Sequence, residues 1–287
     1  FFLLMNRLKR FMENEKKKKK TVDLHLHTKH SIDVIEGNSF LDYAKVGEKL
    51  SITPGFLDHF QAEKLEINDY PFNEENIQSY LEEFERVKSS GFEIMLGLEV
   101  DFYSKKDHLD WNVKTMEFIE NHHQDFDYFV GTIHDVFDFT ITIPFELEDL
   151  LKQQDFKSIQ EEYFKVLFEG IESRIFDGIA HLDVVYRFNG KEGMLESRSE
   201  YKTNDKTWNA MNSCIETETL IELNLRGLEH PWNTTYPSEI LVRKFMSQQK
   251  DKGPYFFTGS DSHNVTTFER MAPITRKYNK FLQQQFS

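Results

Sequence analysis

The feature that most constrains this chain is a repeated layout. Seven short apolar segments each run into polar residues, and stretches of helical periodicity separate them. The segments are TVDLHLH (21–27), SITPGFLDH (51–59), EIMLGLEVD (93–101), YFVGTIHD (128–135), GIAHLD (178–183), LIELNLRG (220–227) and YFFTGSDSH (255–263). Between them, FNEENIQSYLEEFERVKSSG (72–91) sets Ile77, Tyr80, Leu81, Phe84 and Val87 at helical spacing with carboxylates between. Residues 108–123 and 156–173 repeat that layout. A strand-then-helix alternation of this length predicts an α/β fold with a parallel sheet, closed into a barrel or left as an open doubly wound sheet. Six of the seven segments end in His, Asp or Glu. Chemistry that collects where strands end is the habit of a barrel, so the barrel is the expected architecture.

Charge narrows the partners. The net charge is −14, from 35 Lys+Arg against 49 Asp+Glu, and much of the positive charge lies early, at Arg7, Lys9, Arg10 and Lys16 to Lys20. The body is therefore strongly acidic and repels a phosphate backbone, which argues against nucleic acid as a partner. Bound divalent cations reverse that sign locally. Residues 1–20 are expected to form a solvated, disordered basic extension, with Met5 or Met12 as the expected start, and residues 21–287 a single barrel domain. FFLLM is too short for a signal-peptide core, and no stretch approaches the ~18–20 apolar residues of a membrane span, so no membrane association is expected. The one cysteine, Cys214, cannot form an internal disulfide and fits a reducing compartment, the cytoplasm.

Eleven histidines are present, and six fall at strand ends: His25, His27, His59, His134, His181 and His263. An HxH on a strand points both imidazoles to one face, with Cα atoms about 6.5–7 Å apart, and two neutral imidazoles so placed grip one cation. Carboxylates lie beside them at Asp58, Glu99, Asp101, Asp135, Asp183 and Asp261. Carboxylates bridge cations and imidazoles do not, so the mixture reads as polynuclear. Alternatives remain open for His59, as an ordinary turn histidine, and for Asp135 and Asp183, as acceptors that orient a neighbouring imidazole. His30, His108, His122, His123 and His230 read as surface residues. No GxSxG or GxxxxGK[ST] occurs, so neither a covalent serine nucleophile nor a P-loop is supported.

Taken in order, DLHLHT, LDH, GLEVDF, GTIH, AHLD, ELN and GSDSH resemble the PHP (polymerase and histidinol phosphatase) superfamily of metal phosphoesterases, and within it the PHP-type histidinol-phosphatases. The resemblance runs from His25 to His263. It implies a distorted (β/α)7 TIM-like barrel and two or three divalent metal ions (Zn, Mn or Fe). It also implies a small-molecule phosphate ester, L-histidinol phosphate, as substrate in histidine biosynthesis. By the same resemblance one metal is held by His25, His27, Glu99 and Asp261, a second by Glu99 as a bridge with His134 and His181, and a third by Asp33, His59 and His263. Asp33 stands where some members have His, and Arg226 where small hydroxyl residues are common.

Arg187 and Arg226 are candidate phosphate ligands, each with a surface salt bridge as the alternative. Asp183, Asp135 or a metal-bound water is the candidate proton source for the leaving group. Asp101 and Asp138 are candidate partners for the substrate ammonium. Rival functions are a nuclease module, which needs a basic groove, and a tyrosine or other small-molecule phosphatase, which only substrate profiling separates. A zinc amidohydrolase needs a lysine where this chain has GTIHD, and a non-catalytic barrel would have lost ligands. The sequence assigns no oligomeric state.

Overall fold

The computed structural model describes residues 7–18, 20–34, 37–189, 205–249, 253 and 255–285. Every one of the seven apolar segments contains a strand of one parallel sheet. In chain order the strands are β1 (Thr21–Leu26), β2 (Ile52–Phe60), β3 (Met95–Asp101), β4 (Tyr128–Thr132), a small hairpin β5 (Asp135–Val136) and β6 (Phe139–Thr140), then β7 (Gly178–Ile179), β8 (Leu220–Asn224) and β9 (Phe256–Gly259). The sheet runs β1-β2-β3-β4-β7-β8-β9, and all its pairings are parallel.

β9 returns to β1 and closes the barrel. Backbone pairing at this seam is confined to the top, where His27 N–H donates to Ser262 O (3.0 Å) and Asp261 N–H to His25 O (2.8 Å). Lower down, side chains replace the ladder. Asn279 accepts from Val22 N–H at 3.1 Å and donates to Val22 O at 2.8 Å, and Thr258 Oγ1 donates to the same carbonyl at 3.0 Å. The seam thus satisfies its polar groups without a full strand pair, as buried backbone groups must be.

α1 (Arg7–Lys18) lies under the sheet, and the other helices pack outside: α2 (Phe40–Leu50), α3 (Ile77–Ser89), α4 (Leu109–His122), α5 (Pro144–Leu151), α6 (Phe156–Ser173), α7 (Asp205–Glu216), α8 (Glu239–Gln248) and α9 (Val265–Gln285). α3 starts at Ile77 rather than at residue 72 because Asn73 Oδ1 accepts from the N–H groups of Glu75 (3.1 Å) and Asn76 (2.9 Å), a local turn that competes with helix.

The barrel interior has two storeys. The floor is an apolar cluster of Val22, Leu24, Leu57, Met95, Tyr128, Val130, Ala180, Leu220 and Phe257, and the mouth above it is polar. β1 serves both through a bulge: its pairing with β2 slips between Asp23 and Leu26. Strict alternation would send His25 outward if Leu24 faces inward. The extra residue resets the parity, so Val22 and Leu24 line the floor while His25 and His27 line the mouth. The disturbed ladder is repaired from within, where buried Tyr128 donates its hydroxyl to Leu24 O (3.0 Å) and Phe56 O (3.3 Å).

The expectation of a disordered extension at residues 1–20 needs correction. Residues 1–6 and 19 lie outside the described residues, but 7–18 form helix α1, which plugs the floor of the barrel. Leu8 is fully buried in the interior cluster, with Phe11 and Met12 packed against it. Arg7 Nη1 donates to His123 O (2.6 Å) and Phe126 O (3.2 Å) beyond the end of α4. The basic run masked an apolar stripe at i, i+3 and i+4 that the sheet supplies a partner for. Leu8→Ala is expected to lower the free energy of urea unfolding by about 3 kcal/mol; a change below about 0.5 kcal/mol, the range of surface substitutions, would show that α1 is not part of the core.

Candidate metal centre

The nine ligand candidates all lie at the mouth of the barrel. His25 and His27 come from the end of β1. His59 and Glu99 are register partners on β2 and β3, and His134, His181, Asp261 and His263 follow the ends of β4, β7 and β9. His181 (φ 26°) and Asp261 (φ 53°) adopt left-handed backbone, a strained conformation for residues with a Cβ. Asp33 reaches in from the loop after β1. β9 passes close to the group only because residue 259 is glycine: a Cβ there would stand 2.0 Å from Glu222 Oε1 and 2.4 Å from His25 Cβ.

Glu99 is the hub. Its Oε2 lies 3.2 Å from His25 Nε2, 3.2 Å from His59 Nδ1 and 3.6 Å from His27 Nε2. Its Oε1 lies 2.7 Å from His181 Nε2 and 3.5 Å from His134 Nε2. Asp261 Oδ1 is 3.4 Å from His27 Nε2 and 3.5 Å from His263 Nδ1. Asp33 Oδ2 is 2.8 Å from His263 Nε2 and 3.4 Å from His59 Nε2. Three overlapping donor sets result: His25, His27 and Asp261; His59, Glu99 and His134; and His27, Asp33, His59 and His263, each within 4.8 Å. His27 thus joins the third set as well as the first, and His59 joins Glu99 and His134.

The tautomers follow from the partners behind each ring. His25 Nδ1 meets Glu222 Oε1 at 2.7 Å, and His134 Nδ1 meets Asp101 Oδ1 at 2.7 Å. A carboxylate accepts, so both nitrogens carry hydrogen. Ser31 Oγ donates to Asp58 Oδ1 at 2.9 Å, so it can only accept from His27 Nδ1, also at 2.9 Å. His263 Nδ1 donates to Asp261 O at 3.0 Å. In the neutral rings, therefore, the Nε2 atoms of His25, His27, His134 and His263 all present lone pairs inward. In that neutral state His25 Nε2 and His27 Nε2, 3.0 Å apart, face each other lone pair to lone pair. Electron pairs facing electron pairs and carboxylates is a donor set that divalent cations fit.

Without a cation the rings differ in how they hold protons: His25, lowered by burial, is carried well above the ordinary imidazole range by Glu222 and Glu99. Burial, with His263, His59 and His25 around it, holds His27 down at about 4, a neutral ligand. Burial alone would raise Glu99, yet His25, His59 and His134 keep it well below the usual carboxylate range. His134 is lowered by burial but carried up to about 10 by Asp101 and Glu99, so it competes for a proton when no cation is there.

The other candidates separate. Arg187 lines the cleft above the centre, and its Nε is buried with no hydrogen-bond partner. Arg226 does not line the cleft; Glu229, three residues on, captures its guanidinium. Asp183 is fully buried at the start of the turn 184–186. Asp135 accepts from Thr140 Oγ1 at 2.6 Å within the β5–β6 hairpin. Asp101 accepts from His134 through Oδ1 while its buried Oδ2 has no hydrogen-bond partner, and Asp138 lies against His108 at 2.6 Å, outside the cleft. His230, read as a surface residue, lines the cleft.

Sequence reasoning missed Glu222 and Ser31, and placed Asp58 among the carboxylates beside the histidines without its orienting role. Glu222 accepts from His25 Nδ1 and, at 2.7 Å, from His181 N–H; Asp58 also accepts from Thr28 N–H (2.6 Å) and Tyr80 OH (3.0 Å). The available signal was an acid inside an otherwise apolar strand, LIELN and GFLDH. Glu222→Gln is expected to weaken zinc binding about 10–100-fold, read by competition with a chelator. Unchanged affinity would remove Glu222 from that role.

Three comparisons bear on this site. A model of the PHP domain matches residues 23–225. A curated protein of Deinococcus radiodurans named "Probable histidinol-phosphatase" is 24% identical over 211 residues, 72% of this chain and 73% of that protein. Among solved structures, one from Listeria monocytogenes, provisionally assigned as the histidinol phosphatase hisK, aligns with a TM-score of 0.72 at 19% identity, covering 88% of this chain and 99% of that one. The histidinol phosphate phosphatase of Lactococcus lactis, solved with zinc, L-histidinol and phosphate, aligns with a TM-score of 0.66 at 18% identity, covering 91% and 94%. With the seven-stranded barrel, the ligand order along it and a match over most of its length, this chain belongs to the PHP domain family.

Proposed function

We propose that this protein is a metal-dependent phosphomonoesterase that hydrolyses L-histidinol phosphate to L-histidinol and phosphate in histidine biosynthesis, with two or three divalent cations (Zn, Mn or Fe) at the barrel mouth. The observation that carries the reading is the convergence of His25, His27, His59, His134 and His181 on the two oxygens of Glu99, with Asp261 and Asp33 beside them, a donor set that a cation cluster fits. Support comes from the Lactococcus lactis relative, whose structure holds zinc, L-histidinol and phosphate. Divalent cations in such a donor set supply positive charge for phosphoryl oxygens and activate water near neutral pH.

The chain's own residues do the rest. His25, His27, Glu99, Asp261, His134, His181, Asp33, His59 and His263 hold the cations. Glu222, Asp101 and Asp58 with Ser31 fix ring orientation, so little reorganisation accompanies turnover. A cleft of about 210 Å³ leads to the centre, with Lys64, Thr140 and Ile143 among the residues of its walls together with Val184, Arg187 and Tyr236. Arg187 brings a guanidinium to the phosphate. Among the described residues no helix is long and apolar enough to cross a membrane, and Cys214 is a buried free thiol, which is compatible with the proposed cytoplasmic location. Neither nucleic acid nor a membrane is proposed as a partner.

One observation favours a second reading. Lys64 sits in the cleft wall, paired with Gln61 Oε1, where it disfavours a substrate ammonium and suits an additional anionic group. A different small phosphate ester is therefore the alternative substrate.

The test is phosphate release from L-histidinol phosphate beside p-nitrophenyl phosphate, a tyrosine phosphopeptide and sugar phosphates, on protein stripped of metal and reloaded with Zn, Mn or Fe. Metal-dependent turnover is expected, with kcat/KM on histidinol phosphate at least tenfold above the others; a sugar phosphate ahead would select the alternative. Arg187→Ala is expected to reduce kcat/KM by about 10–100-fold, the worth of a charged hydrogen bond.

A further inference from the structure

The ligand pattern leaves one cleft histidine unused. His230 lies six residues beyond the end of β8 and lines the same cleft as Arg187. Its Nδ1 is 2.9 Å from the hydroxyl of Tyr236.

Tyr236 is itself held firmly. Its backbone N–H donates to Asn224 O (3.1 Å) and its carbonyl accepts from Asn224 N–H (2.9 Å). Its ring stacks on Trp232 with centroids 5.7 Å apart. The loop between closes tightly over Gly227, where a Cβ would stand 2.1 Å from Thr234 O and 2.9 Å from the Tyr236 ring, an approach only glycine permits. A rigid phenol on a strand-anchored loop therefore fixes the imidazole plane.

The charges around the pair select what it can do. Burial, with Arg187 beside it, holds His230 at about 3, a neutral ring. Burial keeps the Tyr236 phenol well above its ordinary value, so it retains its proton. When that hydroxyl donates to Nδ1, Nε2 bears the ring's one hydrogen. Among the described residues neither His230 nor Arg187 forms an ion pair, and Arg187 Nε has no hydrogen-bond partner. One neutral and one charged donor thus share a cleft with the metal centre, and the complement of such a pair is a multiply charged oxyanion.

We propose that His230, oriented by Tyr236, is a phosphoryl-binding residue whose Nε2–H donates to a non-bridging oxygen of the bound phosphate ester beside Arg187. It holds the phosphoryl group and leaves protonation of the departing alkoxide to other groups. This rests on the phosphomonoesterase reading above and does not require histidinol phosphate to be the ester.

The test is calorimetric binding of inorganic phosphate to the zinc-loaded protein, in wild type, His230→Ala, His230→Gln and Tyr236→Phe, with zinc content and melting temperature checked for each. Loss of one donor to an anion is expected to weaken phosphate binding about 10–100-fold in His230→Ala. His230→Gln, which keeps an N–H donor, is expected to recover part of that loss, and Tyr236→Phe to lie between wild type and His230→Ala. Zinc content and L-histidinol binding are expected to stay unchanged. Unaltered phosphate affinity in His230→Ala would overturn the proposal. So would a turnover defect on alkyl phosphates that spares both p-nitrophenyl phosphate and phosphate binding, since that places the residue at the leaving oxygen. If His230→Ala melts early, the other two variants decide, because each keeps a side chain of similar size. Phosphate binding needs no ester, so failure on histidinol phosphate leaves this result readable.

Discussion

A strand that lines a barrel cannot, at strict alternation, put Val22 and Leu24 in the floor and His25 and His27 in the mouth. The bulge in β1 resolves the conflict by one residue, and much else in the structure follows from it. The freed carbonyl of Leu24 recruits the Tyr128 hydroxyl across the interior. His25 turns its Nδ1 to Glu222 on β8, and Glu222 in turn receives the backbone of His181 after β7. Three strands are thereby locked to one another through side chains at the level where their own ladders end.

The second constraint is electronic. Nine candidate ligands in one mouth would repel or demand protons if the imidazole rings among them were free to turn. Each of four rings is instead fixed from behind by an acceptor: Glu222, Asp101, Ser31 with Asp58, and the carbonyl of Asp261. Rotation that would present an N–H inward is closed off, because it would bury an unmatched acceptor at a cost of about 1–3 kcal/mol or more for a carboxylate.

The strands and the ligand candidates were legible in the sequence because both leave period and position signals: apolar runs, then donors at their ends. Signals that depend on tertiary partners were not. Leu8, Phe11 and Met12 form a stripe only once the open end of a barrel is there to receive it, and the adjacent lysines argued for solvent. Glu222 and Asp58 are acids inside apolar strands, legible in principle as buried acceptors but not as the partners of particular histidines. His230 sits in a loop with no periodicity, and its approach to the cleft depends on the tight closure over Gly227. Arg226 carried its answer locally, in RGLE, where Glu229 lies one turn on.

The closure of the barrel has a consequence for synthesis. Ligands at positions 25 and 27 meet those at 261 and 263 only when β9 has been laid against β1, and the lower seam depends on Asn279 in α9. The metal-binding cluster is therefore among the most non-local parts of the molecule, assembled across nearly the whole chain, and loop-closure entropy makes such contacts late. A chain still emerging from the ribosome holds HxH, the acid of β3 and the histidine after β4 long before it holds their partners. Full affinity for the cation cluster therefore waits on the pairing of β9 with β1 and the docking of α9.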